Sequence, residues 1–338
     1  MEILVTGASG FIGQHLARAL AAQGHQVRVL LRSSHIETCF NKATKPFLGD
    51  LTHEESLRPA VEGVDLVYHL AAVRERWGLS YKTCYDINVE GTRYLLDAAA
   101  EQRARFVYCS SAGVLGYPGK LDVDESYPYC IKESKYPYHH TKALAEQLTR
   151  EYAQREGLRA VVVRPLITYG PGDAFGVVTR LLVLLARGHF VPVGDGRNHV
   201  HLAYITDTVR GIILAGESDQ ADGQVYILPG TRPITVRELI VQACALLKQS
   251  VPRCRLPRLP AQVVPRLFKL VCVLQSQFGL HIWDNEPFLS RDKFDALMAN
   301  QGFIGRRAAQ DLGYRPAVDY ADGLRLTVAW ARQSHFLP

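Results

Sequence analysis

Val5-Thr6-Gly7-Ala8-Ser9-Gly10-Phe11-Ile12-Gly13 decides the fold of this chain, because it carries an apolar strand into a helix through glycines spaced G-x-x-G-x-x-G. Glu2-Ile3-Leu4-Val5 before it is fit for a buried parallel strand, and His15 to Ala22 after it is rich in alanine and leucine and reads as a helix. A turn this tight needs glycine for its backbone angles and for close approach to a ligand. The helix N-terminus behind it offers unpaired N–H groups and a positive dipole end, a seat for a pyrophosphate. The residues expected to form that seat are Gly7, Ser9, Gly10, Phe11, Ile12 and Gly13. A glycine triplet alone is a weak signal. Strand before, helix after and a basic residue about twenty positions on make it a dinucleotide turn.

Outward from the turn, strand and helix alternate. Apolar runs at Ile3–Val5, Val27–Leu31, Val64–His69, Phe106–Cys109 and Ala160–Val163 are separated by helical stretches such as Tyr94–Gln102 and Lys142–Ala153. That order predicts an α/β fold with a doubly wound parallel sheet. Beyond Arg164-Pro165 the pattern loosens into helices near Val177–Arg187 and Asp207–Gly216, short strands and turns such as Gly170-Pro171-Gly172, and it ends in a helix near Tyr320–Ser334. The division expected is a dinucleotide-binding domain over 1–165 with 197–228, and a smaller, mostly helical substrate lobe over 166–196 with 229–338. Within that lobe Leu267, Leu270, Val271 and Leu274 share one helical face among prolines, with Arg258, Arg266 and Lys269 around it. This segment, about 255–290, reads first as a core helix and second as a substrate lid or a peripheral membrane contact.

Bulk composition narrows the class. The chain has 338 residues and a net charge of +6 from scattered residues, so no basic stripe points to nucleic acid. Seven cysteines lie far apart without zinc spacing, which fits reduced thiols in the cytoplasm and predicts no metal site. No leader is expected before a turn that begins at residue 6, and no apolar segment reaches the length of a membrane span.

Tyr138-His139-His140-Thr141-Lys142 sets a phenol and an ammonium one helical turn apart. Among sixteen tyrosines, Tyr138 alone is followed by lysine four places on. A nearby cation favours phenolate, so Lys142 and the positive charge of an oxidised nicotinamide are together expected to lower the Tyr138 pKa and prepare it for proton exchange with a carbinol. Val107-Tyr108-Cys109-Ser110-Ser111 ends a strand at the carboxyl edge of the sheet, where Ser111, with Ser110 second, can hold the substrate oxygen.

These pieces, with Gly49-Asp50-Leu51, His69-Leu70-Ala71-Ala72, Asn88-Val89-Glu90-Gly91-Thr92, Arg164-Pro165 and Leu312-Gly313-Tyr314-Arg315-Pro316, run nearly end to end. Together they make the chain similar to the extended short-chain dehydrogenases/reductases, the branch with nucleotide-sugar epimerases, dihydroflavonol reductases and 3β-hydroxysteroid dehydrogenases. The resemblance implies Ser111/Tyr138/Lys142 catalysis, with Asn88 shaping the site and a proton path. It implies Asp50 and Leu51 at the adenine, Leu70, Ala71 and Ala72 along the cofactor, the Pro165-Leu166 backbone near the nicotinamide, and a homodimer through the helices near 83–101 and 138–156. The acidic position of NAD-type members falls on Leu31, and Arg32 follows; arginine matches a 2′-phosphate, so NADP is the expected cofactor and NAD the lesser one.

Three activities share such a scaffold. Dehydratases carry an Asp–Glu pair where this chain has Ala112-Gly113. Sugar-nucleotide epimerases carry a pyrophosphate-binding Arg where it has Val200, although Arg197 or the Arg306-Arg307 pair could replace it. The reading is therefore an NADP(H)-dependent oxidoreductase acting on a hydrophobic alcohol or ketone, such as a sterol, another terpenoid or a long-chain β-keto acid. The alternatives are a nucleotide-sugar 4-epimerase and a non-catalytic NADP(H)-sensing regulator.

Overall fold

The computed structural model describes residues 1–33, 44–74, 79–129, 136–155, 157–257 and 298–338. In chain order the elements are β1 (Glu2–Thr6), α1 (Phe11–Ala22), β2 (Gln26–Leu31), β3 (Thr44–Leu48), α2 (Glu54–Val61), β4 (Leu66–His69), α3 (Tyr81–Tyr85), a π-helical turn (Asp86–Glu90), α4 (Gly91–Gln102), β5 (Arg105–Cys109), α5 (Pro137–Arg155) and β6 (Ala160–Pro165). They continue as β7 (Ile167–Tyr169), α6 (Val177–Ala186), β8 (His199–Val200), β9 (Leu202–Tyr204), α7 (Ile205–Glu217), β10 (Val225–Leu228), β11 (Ile234–Thr235), α8 (Val236–Leu247), α9 (Arg306–Asp311) and α10 (Tyr320–Gln333).

Among the described residues, seven strands form one sheet in the order β10-β6-β5-β4-β1-β2-β3, every pair parallel. The strands read as continuous apolar runs because both faces are covered. Ile3, Val5, Val27, Val29, Val107 and Val161 point to a core shared with Leu16 and Leu20 of α1 and Ile212 of α7. Leu4, Leu30, Phe106 and Val162 point the other way, to Leu57 of α2, Leu95 and Leu96 of α4 and Ala145 of α5. The chain runs outward from β1 to β3, then crosses to β4 on the other side of β1. At such a reversal, parallel sheets bind ligands beyond the carboxyl ends of their strands.

Of the two edge strands, only β3 lacks an apolar run, whereas β10 is the buried run Val225-Tyr226-Ile227-Leu228. β3 is largely exposed and includes Pro46, which only an edge tolerates. β10 is the four-residue opposite edge. Helix α1 also starts four residues earlier than its alanine-leucine pattern, since Gly10 is the N-cap and Gly13 lies inside the first turn. Asp207 in the first turn of α7 accepts the N–H groups of Ala317 and Val318, each at 3.0 Å, and so pins the Leu312–Pro316 region to the sheet domain. No helix among the described residues is long and apolar enough to cross a membrane. The apolar face at Leu267, Leu270, Val271 and Leu274, with Arg258, Arg266 and Lys269, lies outside the described residues.

Candidate active site

The glycine turn is built by close contact. Gly7 has φ +70°, and a Cβ there would lie 2.6 Å from the Ala71 nitrogen. A Cβ on Gly13 would lie 2.2 Å from the Gly7 carbonyl oxygen, so the first turn of α1 packs directly on the loop. The Gly10 N–H donates to the Gly7 carbonyl at 2.9 Å. No side chain caps α1 and no acid stands in its first turn, leaving its N–H groups turned to an anion. Ser9 and Gly10 are exposed, Phe11 and Ile12 half-buried, and Leu70, Ala71 and Ala72 half-buried alongside. This cradle fits a dinucleotide pyrophosphate, because the uncapped helix start meets a turn whose backbone can pack this closely only with glycine at Gly7 and Gly13. Among the described residues, no group of three or more His, Cys, Asp or Glu is placed to hold a metal ion.

A buried polar chain links the turn to Asn88. The Ala71 N–H donates to Thr6 Oγ1 at 3.1 Å, and Thr6 Oγ1 meets His69 Nδ1 at 2.7 Å. His69 Nε2 meets Thr92 Oγ1 at 2.9 Å, whose hydrogen is committed to the Asn88 carbonyl at 2.6 Å. Thr92 must therefore accept from His69 Nε2–H, which leaves Nδ1 to accept from Thr6. Burial holds His69 well below its ordinary pKa and keeps it neutral. Asn88 sits on the π-helical turn, a local widening common at functional positions. Its amide accepts from the Val73 N–H at 2.8 Å and donates to the Val73 carbonyl and to Thr141 Oγ1, each at 3.0 Å. It thus ties the loop after β4 to α5.

The two serines after β5 part company. Ser110 is buried and donates to Glu146 Oε2 at 2.6 Å. Ser111 is half-buried, and its oxygen accepts the Gly113 N–H at 3.1 Å, which leaves its hydrogen to offer outward. Tyr138 and Lys142 lie one turn apart on α5. The Lys142 ammonium stands 4.1 Å from the centroid of the Tyr108 ring, and burial pushes it down to about 8 against the raising influence of Cys109 and Glu146. Desolvation raises the Tyr138 phenol, with Arg74 pulling the other way. In the protein alone, desolvation raises the phenol more than the Arg74 charge lowers it; the expected lowering involves the charge of a bound oxidised nicotinamide as well as Lys142.

Other expected residues line the same edge. Arg32 is exposed after β2. The Asp50 carboxyl is raised by burial but brought below its usual value by Thr52 hydrogen bonds and the charge of Arg32. Leu51 is buried against Gly91, where a Cβ would come within 2.7 Å of its own. Pro165 ends β6, and the Leu166 carbonyl accepts the Thr168 hydroxyl at 3.1 Å. Gly113 packs so tightly on His139 that a Cβ would lie 2.2 Å from the ring, leaving no room there for an acid. Val200 is buried in the apolar core and pairs with Ile234. Arg197 is exposed beside Asp195, Arg306 is exposed, and Arg307 donates to Gln224 at 3.2 Å.

Two residues escaped the sequence reading. Arg74, exposed directly after the pinned Val73, lowers both Tyr138 and Asp173 by its charge. Asp173 follows the Gly170-Pro171-Gly172 turn, which rests on α1 through a 2.8 Å contact between His15 Nε2 and the Pro171 carbonyl. Burial pushes its carboxyl up to about 6. The available signal was a lone acid behind a glycine–proline turn at the sheet's carboxyl edge.

Residues 3–228 match the NAD dependent epimerase/dehydratase family. The chain is 33% identical to a 2-alkyl-3-oxoalkanoate reductase of Stenotrophomonas maltophilia (strain K279a), over 96% of this chain and 98% of that protein. It is 29% identical to a 3-beta-hydroxysteroid dehydrogenase of Mycolicibacterium neoaurum, over 93% and 87%. Its fold matches a UDP-glucuronic acid 4-epimerase from Bacillus cereus solved with NAD, with TM-score 0.77, 23% identity and coverage of 99% and 100%.

Proposed function

The chain belongs to the NAD dependent epimerase/dehydratase family, among the extended short-chain dehydrogenases/reductases, and from that premise we propose that it is an NADP(H)-dependent reductase of hydrophobic ketones that works through Ser111, Tyr138 and Lys142. The observation that carries this reading is the half-buried Tyr138 phenol one turn from the buried Lys142 at the carboxyl edge of a parallel sheet. Reduced nicotinamide, when bound, supplies the hydride. Ser111 offers its free hydrogen to the ketone oxygen, and Tyr138 gives its proton to the oxygen as charge develops there. Lys142, held dry over Tyr108, favours the phenolate left behind. Gly7, Ser9, Gly10, Phe11, Ile12 and Gly13 would hold the pyrophosphate. Asp50 and Leu51 would meet the adenine, and Leu70, Ala71, Ala72, Pro165 and Leu166 would line the rest.

The substrate class follows from charge. Val200 sits in the core, where no diphosphate ligand can stand, which weighs against the epimerase. Tyr138 and Lys142 are both present, which weighs against a regulator. Arg74, exposed after Val73, acts on Tyr138 by its charge, and a β-keto acid supplies a carboxylate to match that cation, as in the compounds for which the Stenotrophomonas maltophilia relative is named. A long-chain 3-oxo acid is expected to be reduced with kcat/KM at least about tenfold above its methyl ester, the value of one charged hydrogen bond. Arg74→Ala is expected to erase that preference. Equal turnover of acid, ester and steroid ketone by the unaltered protein removes the acid from the proposal.

Arg32→Ala is expected to weaken NADPH binding by about tenfold to a hundredfold and leave NADH almost untouched, since a charged hydrogen bond is lost with the 2′-phosphate only. Equal losses in fluorescence titrations of the two cofactors assign Arg32 to the loop alone. The proposal includes a cytoplasmic location and a homodimer through α4 and α5. Leu144, Leu148 and Tyr152 pack on this chain's own core, so the dimer would use the remaining outer face.

A further inference from the structure

Glu146 is a buried carboxylate that the proton chemistry above does not use. It lies one turn beyond Lys142 and two beyond Tyr138, so the three rise along one face of α5. Its side chain is 0% exposed, and that of Arg164 on β6, its ion-pair partner at 2.7 Å, is 2% exposed. Arg164 Nε also donates to both carboxylate oxygens, at 3.1 and 3.2 Å. The Ser110 hydroxyl donates to Oε2 at 2.6 Å and the Tyr129 hydroxyl to Oε1 at 2.8 Å. Arg164 Nη1 reaches on to the Glu125 carbonyl at 3.3 Å, and Glu125 Oε1 accepts the Ile227 N–H of β10 at 3.0 Å. One carboxylate thus joins α5 to the residue before Ser111 and to the residue before Pro165.

Stability alone is a poor reason for such a pair, because well-packed apolar residues often serve as well in a core. Its placement between the three elements that carry Ser111, Tyr138 and Pro165 gives a better one. We propose that Glu146 and Arg164 are positioning residues, whose ion pair fixes the rotation of α5 that presents Tyr138 and Lys142 towards Ser111 and supplies the anion that keeps Lys142 an ammonium. This inference rests on the Ser111, Tyr138 and Lys142 reading of the site.

Among the described residues, those acting on Lys142 are His69 on β4, Tyr108 and Cys109 on β5, and Glu146 on α5, with Tyr138 one turn before the lysine. Burial holds His69 neutral, pushes the Cys109 thiol up to about 11 and raises both phenols. Glu146 is the anion of this set, and the ammonium it faces has already been pushed down to about 8 by burial. Removing that anion, with the Arg164 cation left behind it, drives the lysine lower still.

Glu146→Gln removes the charge and keeps the shape, whereas Glu146→Asp keeps the charge and shortens the reach. Lys142 can be titrated by NMR in protein labelled at lysine Cε, with Lys142→Met assigning the signal, beside steady-state ketone reduction. The Lys142 midpoint is expected to fall by about half a pH unit or more in Glu146→Gln and to stay put in Glu146→Asp. A drop in kcat of about tenfold or more is expected in both, with the KM for NADPH changed by less than about threefold. If Glu146→Gln does not fold, Glu146→Gln combined with Arg164→Met leaves no lone buried charge and is expected to show the same shift and loss. An unmoved midpoint in the charge-removed protein, or wild-type kcat in Glu146→Asp, overturns the proposal. Tyr138→Phe run in parallel separates the two claims: full activity there removes the reading of the site itself, and loss there with wild-type behaviour of the Glu146 variants removes only the positioning role.

Discussion

Tyr138→Phe is expected to lower kcat for ketone reduction by about a hundredfold to ten-thousandfold, the usual worth of a positioned general acid. NADPH affinity is expected to hold, because the ring still packs against its neighbour His139, whose ring centroid lies 5.1 Å away. The sign of the effect follows from the titration. Desolvation raises the phenol above its ordinary value, so it is fully protonated across neutral pH and ready to give its proton. Proton loss, and with it the capacity to donate, comes only at more alkaline pH. The check is steady-state kinetics with a fluorescence titration of NADPH. If the variant keeps more than about a tenth of wild-type kcat/KM, a loss under about 1.4 kcal/mol, the proton is handled elsewhere.

Gly13→Ala is expected to be nearly as damaging by a different route. The added methyl would lie 2.2 Å from the Gly7 carbonyl oxygen and 2.7 Å from its carbon, and both are backbone atoms that cannot swing aside. Gly7 in turn is pressed against Ala71, so the strain passes to the cofactor wall. Overpacking of this kind costs about 1–3 kcal/mol of stability. The same displacement opens the anion cradle, and NADPH affinity is expected to fall by about tenfold or more. Gly10→Ala is the control. Its methyl would stand 3.1 Å from the Gly7 oxygen, so a smaller loss is expected in thermal unfolding and cofactor titration. Equal effects of the two substitutions would contradict the close-packing account of the turn.

Much of the fold was legible because its signals are local. Ile3–Val5 and Phe106–Cys109 are apolar on both faces, and only a covered parallel strand needs that. The edge strand β3 gave no such signal, since Thr44-Lys45-Pro46-Phe47-Leu48 is largely exposed and is held by pairing to β2 and by Phe47 packing on the core. In the site, Tyr138, Lys142 and Ser111 could be named from spacing and strand position. What spacing could not convey was solvation. The Lys142 ammonium lies over the Tyr108 ring, and in the protein alone desolvation raises Tyr138. Long-range partners were also invisible. Arg164 ends the apolar run Val161-Val162-Val163, and a buried arginine there demands an anion, yet nothing in sequence says that the anion is Glu146, eighteen residues earlier. Asp207 and its hold on Ala317 are hidden in the same way.

The central claim, net reduction of a hydrophobic ketone, is tested most directly by following deuterium. The protein is mixed with a long-chain 3-oxo acid and NADPH carrying deuterium at the transferable position of nicotinamide C4, and, separately, with UDP-glucose. The account predicts that the label arrives at the carbinol carbon of a 3-hydroxy acid, in step with loss of reduced cofactor and abolished in Tyr138→Phe, while UDP-glucose is returned unchanged. Inversion of UDP-glucose at C4 with no net change in cofactor redox state, and no label in any hydroxy acid, would contradict it.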